Sequence, residues 1–169
     1  MSEREAILFE VEGVSGSGKT TFIKTYTESD FFDSLLDLGY VVINDSFSFF
    51  LASPREARRF DPELKTQMGT RGMVIMVDSH APDQFRETIG LIMTIQTHLA
   101  VVVSPVPLVI AANKQDQLDA LSADAVRNVL NIPSEIPVVP CVATDKESVK
   151  RVLVALLDEV LKAMAADKE

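Results

Sequence analysis

The chain has 169 residues, a length that suits one domain with a substantial hydrophobic core. Hydrophobic residues make up 47% of it and charged residues 24%, which is ordinary for a globular protein. The net charge of −9 argues against a general affinity for nucleic acid or for an anionic membrane surface. We therefore expect a single domain over residues 1–169, with anion binding confined to one loop.

The sequence also bears on the compartment. No signal peptide precedes Ala6, no apolar run is long enough to span a bilayer, and no lipidation motif is present, so we expect a cytoplasmic protein without direct membrane insertion. The single cysteine, Cys141, lies among valines and is expected to be a small core side chain, not a reactive thiol.

The first predicted elements flank a glycine-rich loop. Residues 6–11 have the apolar, partly alternating pattern of a strand, and residues 20–27 can form a helix. Between them the pattern GxxxxGK[ST] is matched by Gly13, Val14, Ser15, Gly16, Ser17, Gly18, Lys19 and Thr20. In this order a strand, a turn of small residues and a helix form a P-loop, whose backbone N–H groups bind phosphate. We predict that Lys19 reaches the β- and γ-phosphates and that the Thr20 hydroxyl binds magnesium.

The middle of the chain is less regular. Residues 28–37 are mixed polar and aromatic, as in the first switch region of a nucleotide-dependent protein. Residues 40–43 and 47–51 are predicted to form a hairpin, and the charged run 55–59 comes after Pro54. A buried strand over residues 73–77 ends at Asp78, which could organise magnesium or could be a turn residue; the turn is preferred, because Asp and Ser favour such turns.

The second half alternates regularly between helices and strands. Helices are predicted over residues 84–100, 123–130 and from Lys146 onward, with strands over residues 108–112 and 137–142. This alternation predicts an α/β fold with a doubly wound, mostly parallel six-stranded sheet and flanking helices. Ligands bind beyond the carboxyl ends of the strands in such sheets, where the P-loop, residues 113–116 and Ala143 all fall.

Residues 113–116 have the pattern NKxD and suggest which base is bound. The carboxylate of Asp116 can accept the N1–H and the N2 amino hydrogens of guanine, whereas adenine would offer it a lone pair. The stem of Lys114 would lie along the purine plane. After the next strand, the Ala143 N–H is expected to reach the guanine O6, and Thr144 is the next residue.

With these motifs the chain resembles the Ras-like small GTPases, and specifically their prokaryotic branch related to the gliding protein MglA. The stretches GVSGSGKTT, AANKQD and PVVPCVATDKESVKRVLVALL carry the resemblance, which covers nearly the whole chain. It implies binding of GTP and GDP with Mg²⁺, a cycle between the two nucleotide states, and roadblock-domain regulators as partners. The residues that it assigns are Gly13, Gly18, Lys19, Thr20 and Thr21 for phosphate and magnesium, and Asn113, Lys114, Asp116 and Ala143 for the base.

The second switch departs from the family pattern. The corresponding run, residues 52–60, has no counterpart of the glycine that senses the γ-phosphate or of the glutamine that positions water. In the first switch Ser34 is a weak candidate for the second magnesium ligand. We therefore expect a GTP/GDP switch with slow or partner-dependent hydrolysis, in which Lys19 is the candidate catalytic residue.

Two alternatives remain open. The first is a pseudo-GTPase that acts as a protein-binding scaffold. The second is a P-loop kinase, which would need an arginine-rich lid and would leave Asp116 without a role. The sequence does not determine the oligomeric state.

Overall fold

A computed structural model describes residues 5–27, 29–32, 36–54, 69–102 and 106–166. The strands are β1 (Glu5–Gly13), β2 (Ser29–Phe32), β3 (Leu36–Val42), β4 (Phe47–Pro54), β5 (Thr70–Asp78), β6 (Leu108–Asn113) and β7 (Val138–Pro140). The helices are α1 (Lys19–Tyr26), α2 (Phe85–Val102), α3 (Ala123–Leu130) and α4 (Lys146–Ala166), with a 3₁₀ turn at Pro82–Gln84 before α2.

These strands form one sheet in the order β2-β3-β4-β1-β5-β6-β7. The five neighbouring strands β4, β1, β5, β6 and β7 are parallel to one another. Strand β3 is antiparallel to both of its neighbours, β2 and β4. The predicted mostly parallel, doubly wound architecture is therefore confirmed, and each of the six predicted strands is present. The sheet has in addition a seventh, short edge strand, β2, within the segment predicted to be a switch region.

The predicted hairpin is β3 and β4, which pair from Leu36 opposite Pro54 to Val42 opposite Ser48. Its turn is closed by Asn44, whose Oδ1 accepts hydrogen bonds from the backbone N–H groups of Ser46 and Phe47 at 2.9 Å each. Strand β3 begins four residues earlier than predicted. Consequently Asp37 lies in a strand and not in a loop.

The core has one layer on each face of the sheet. The central run of β5, Met73–Val77, is fully buried, as predicted for a strand covered on both faces. One layer contains α1 and α4 and includes Phe22, Ile23, Val152 and Leu156. The other contains α2 and α3, with Phe85, Ile95 and Val126 among its members. The P-loop and the loop after β6 therefore start from rigid, buried strands.

Cys141 lies in this core. It is buried, and burial raises the pKa of its thiol to about 11. At neutral pH it is a neutral packing side chain, as predicted. Within the described residues no helix is both long and apolar enough to cross a membrane.

Candidate nucleotide-binding site

The loop between β1 and α1 depends on glycines. Gly13, Gly16 and Gly18 have φ angles of 155°, 78° and 105°, in the region that side chains rarely adopt. A methyl group at Gly13 would lie 2.6 Å from the backbone oxygen of Met76 and 2.5 Å from Ser17 Oγ. Only glycine therefore fits at position 13. After this loop the chain turns sharply into the amino terminus of α1, where backbone N–H groups without helical partners can face an anion.

Lys19 is folded back across this loop. Its ammonium group donates hydrogen bonds to the backbone oxygens of Gly13, at 2.8 Å, and Val14, at 2.9 Å. The Lys19 side chain is half-buried. The two carbonyl groups hold its positive charge at the mouth of the loop. This is where the sequence predicts that phosphate binds.

Thr20, the next residue, has a partner that the sequence did not suggest. Its hydroxyl donates a hydrogen bond of 2.5 Å to Oδ2 of Asp37 on β3, and Asp37 is only 1% exposed. The hydroxyl predicted to bind magnesium therefore lies directly beside a buried carboxylate. Ser34, the weak candidate from the sequence, lies outside the described residues.

The remaining predicted P-loop residues differ in exposure. Ser15, Gly16 and Thr21 are exposed, so they are open to a ligand. Ser17 is fully buried, and its Oγ has no hydrogen-bond partner among the described residues. Its backbone oxygen, in contrast, accepts a hydrogen bond from Asn113 at the start of the predicted base-binding loop.

Asn113 joins the P-loop to two other loops. Its Nδ2 donates to the backbone oxygen of Ser17 at 2.8 Å, and its Oδ1 accepts from the Ala143 N–H at 2.9 Å. It is 2% exposed, and a methyl group at Gly18 would collide with its amide and lie 3.7 Å from the Ala143 Cβ. Asn113 thus fixes three loops at the carboxyl edge of the sheet. In this structure the Ala143 N–H donates to Asn113 Oδ1. The contact of the Ala143 N–H with a guanine O6 therefore stays a prediction.

Lys114 is held by Asp78. Its Nζ lies 2.6 Å from Oδ2 of Asp78, whose Oδ1 accepts the His80 N–H at 3.0 Å in the predicted turn. The Lys114 backbone has a φ of 65°, in the left-handed region that residues other than glycine uncommonly adopt. Asp78 is paired opposite Asn113 in the β5–β6 ladder, which brings the carboxylate to the lysine. Asp78 therefore acts as a turn residue, as preferred from the sequence, and also orients Lys114.

Asp116 and Thr144 are exposed at the same edge. One carboxylate oxygen of Asp116 accepts a hydrogen bond of 3.2 Å from Gln117 Nε2. The Gln115 N–H donates to the Cys141 oxygen at 3.2 Å, which ties this loop to the segment that carries Ala143 and Thr144. Because the Asp116 carboxylate is exposed, it can accept hydrogen bonds from a ligand without a rearrangement of the core.

The ion pair between Asp78 and Lys114 leads to a first prediction. Asp78→Asn keeps the acceptor for His80 but removes the charge that holds Lys114. Because a partly exposed ion pair is worth about 1 kcal/mol, we expect the affinity for GDP to fall about fivefold, as measured by titration with a fluorescent GDP analogue. Asp83→Asn, at an exposed position five residues later, should leave the affinity unchanged. An equal effect of both substitutions would mean that Asp78 does not orient Lys114.

The structure thus brings together most of the residues that the sequence selected. Asn113 links the P-loop to the segment with Ala143, and Lys114 comes directly after Asn113. The sequence missed Asp37 and the contact of Asp78 with Lys114, since both depend on which strands are neighbours. In the part of the chain that is described, no group of three or more His, Cys, Asp or Glu side chains could hold a metal ion.

Residues 58–160, more than half of the chain, match the model of the ADP-ribosylation factor family, Arf. The match includes the NKxD loop and the segment with Ala143, while the P-loop lies before it. No curated protein matches the chain.

Proposed function

Because the chain belongs to the ADP-ribosylation factor family of small GTPases, we propose that it is a GTP/GDP switch whose own hydrolysis of GTP is slow and whose fast turnover needs a partner. Family membership makes it a small GTP-binding protein that alternates between GTP and GDP forms. The rate of hydrolysis, the partner and the residues in contact with nucleotide are the proposed parts.

The observation that carries the site assignment is the Asn113 bridge. One buried amide bonds both the P-loop and the segment with Ala143, so a phosphate-binding loop and a base-binding loop form one rigid unit. A nucleotide that spans them would place its phosphates at Lys19 and its base at Asp116. The sheet runs without a break from β2 to β7, which supports one domain over the whole chain.

Magnesium is part of the proposal, and the residues present fit it. The Thr20 hydroxyl lies 2.5 Å from a carboxylate oxygen, and hard oxygen donors of this kind are the ligands that Mg²⁺ prefers. Thr20 would hold the ion, which when bound would neutralise charge on the phosphates. Lys19 and the N–H groups of the loop would stabilise the charge that shifts toward the leaving group during hydrolysis.

Slow hydrolysis is supported by the residues at and after the end of β4. The strand ends with Ser53 and Pro54, and the next residues are Arg55 and Glu56, where the family pattern has a glycine and a glutamine. No side chain in this run matches the residue that orients the attacking water. A partner protein would have to supply that group.

The same run favours one alternative, a pseudo-GTPase that serves as a scaffold. In that case GTP and GDP would bind equally well and would leave partner affinity unchanged, since a ligand indifferent to two states shifts neither. A P-loop kinase is less favoured, because it gives Asp116 no role and does not agree with the family match. The MglA-like branch, a roadblock-domain regulator and a cytoplasmic location remain proposals from the resemblance.

Titration of nucleotide-free protein with GTP, GDP and ATP in magnesium tests the proposal. We expect guanine nucleotides to bind far more tightly than ATP, and a single-turnover assay to show slow hydrolysis of bound GTP. Rapid turnover without a partner would refute the partner dependence. Equal affinities for GTP and GDP, without hydrolysis, would instead favour the scaffold.

A further inference from the structure

We propose that Gln115 is a positioning residue for guanine recognition. It lies between Lys114 and Asp116, the two side chains proposed to contact the base, and has no proposed contact with the nucleotide itself. Its side chain acts through Asp116, by fixing the backbone from which the Asp116 carboxylate projects. This role rests on the proposed function, because it has an effect only if Asp116 reads the base.

The Gln115 side chain is bonded to the far end of its own loop. Its Nε2 donates a hydrogen bond of 2.8 Å to the backbone oxygen of Leu121, six residues farther along the chain. Gln115 is half-buried, whereas Asp116 beside it is exposed. The amide of Gln115 therefore serves the protein, while the neighbouring carboxylate is open to a ligand.

The backbone of this loop has an uncommon conformation. Lys114 and Asp119 have φ angles of 65° and 67°, and the Lys114 oxygen accepts the Gln117 N–H at 3.0 Å in a tight turn. Residues other than glycine keep such angles only where the surrounding structure holds them. The hydrogen bond from Gln115 to Leu121 closes the loop across Asp119 and so helps to hold this backbone.

Both ends of the Gln115–Leu121 contact are attached to the sheet. The Gln115 N–H donates to the Cys141 oxygen at 3.2 Å, and the Leu121 N–H donates to the Ser79 oxygen at 2.8 Å. Cys141 follows β7 and Ser79 follows β5, and both residues are buried. These two strands lie on either side of β6. The Gln115 side chain joins the two attachments, and its removal would leave each end attached but separate.

The side-chain contact of Asp116 does not replace this connection. One Asp116 oxygen accepts a hydrogen bond of 3.2 Å from Gln117 Nε2. Both side chains are exposed, so water competes with this contact. The direction of the carboxylate therefore depends on the backbone on either side of it, which Gln115 fixes.

The ratio of the affinities for GDP and inosine diphosphate (IDP) tests this role. IDP lacks the N2 amino group, so it can make one of the two hydrogen bonds that guanine donates to Asp116. Gln115→Met has a similar length but no donor. We expect its affinity for GDP to fall about 2–10-fold, the loss that one neutral hydrogen bond accounts for, and its affinity for IDP to fall less. Isothermal titration of nucleotide-free protein measures both.

Two controls separate positioning from general stability. Ser122 caps α3 directly after Leu121, and its Oγ accepts the Ala125 N–H at 3.2 Å. Ser122→Ala destabilises the helix but leaves the Gln115 contact, so it should keep the wild-type ratio of GDP to IDP affinity. Gln96→Met, at an exposed position on α2, makes the same change away from the site and should also keep it. The same drop in this ratio for Ser122→Ala would contradict a specific role for Gln115.

Gln115→Glu covers the case in which Gln115→Met does not fold. Ionised glutamate has nearly the shape of glutamine but only accepts hydrogen bonds, so it repels the Leu121 oxygen. We expect it to lower the GDP affinity and the GDP to IDP ratio more than Gln115→Met does. Thermal unfolding of the nucleotide-free variants shows which of them is folded.

The outcomes distinguish this role from the proposed function. A wild-type ratio in either folded Gln115 variant, or equal losses of GDP and IDP affinity, would overturn the positioning role and leave the guanine site intact. Loss of the fold in both variants would mean that Gln115 is needed for folding, and would overturn it too. If wild-type protein itself does not distinguish GDP from IDP, Asp116 does not read the base, and the proposed base assignment fails together with the role of Gln115.

Discussion

Replacement of Lys19 by alanine is expected to remove most of the affinity for GTP and GDP. The Gly13 and Val14 oxygens place the ammonium at the mouth of the loop, where phosphate is expected to bind. Two hydrogen bonds between charged groups, at roughly 1.5–3 kcal/mol each, correspond to a fall in affinity of about 10²–10⁴-fold. Isothermal titration with each nucleotide measures it.

Two controls make the Lys19 result specific. Lys162→Ala removes the same charge from an exposed position on α4 and should leave nucleotide affinity unchanged. Guanosine, which has no phosphates, should bind wild type and Lys19→Ala equally, though weakly. A parallel loss of guanosine binding would mean that Lys19→Ala disturbs the loop as a whole, and the direct phosphate contact would be rejected.

The parts of this fold that the sequence predicts are those with local signals. The apolar run of β5 and the glycine pattern after β1 are readable because neighbouring residues determine them. Strand β2 is only four residues long and exists through its pairing with β3, from Ser29 opposite Tyr40 to Phe32 opposite Asp37. Such a strand has little periodicity of its own, so the sheet was predicted with six strands.

The candidate site shows the same division. The NKxD and P-loop residues are predictable from spacing, but the contact of Asp37 with Thr20 joins residues 17 positions apart through the packing of β3 on α1. The contact of Lys114 with Asp78 results from the pairing of β6 beside β5, which no single stretch of sequence specifies. The sequence shows that Asp37 and Asp78 are present, but it does not show their partners, because contacts across a sheet depend on strand order.

Asp116→Asn is expected to change the base preference of the site from guanine to xanthine. The exposed carboxylate of Asp116 is bonded at one oxygen to Gln117, a contact that a ligand can displace at little cost. Loss of two hydrogen bonds to a charged acceptor, at roughly 1.5–3 kcal/mol each, corresponds to a fall of about 10²–10⁴-fold in GTP affinity. The new amide can donate to the C2 oxygen of xanthine, so affinity for XTP should rise.

The matched control for this change lies on the same loop. Asp119 is exposed and has a φ of 67°, which asparagine adopts as readily as aspartate, so Asp119→Asn changes the charge without straining the backbone. Competition between GTP and XTP for each variant gives the preference directly. Unchanged GTP affinity in Asp116→Asn would exclude Asp116 from base recognition. A lower affinity for GTP without a higher affinity for XTP would indicate damage to the loop. Only a residue in direct contact with the base can shift the preference from guanine to xanthine.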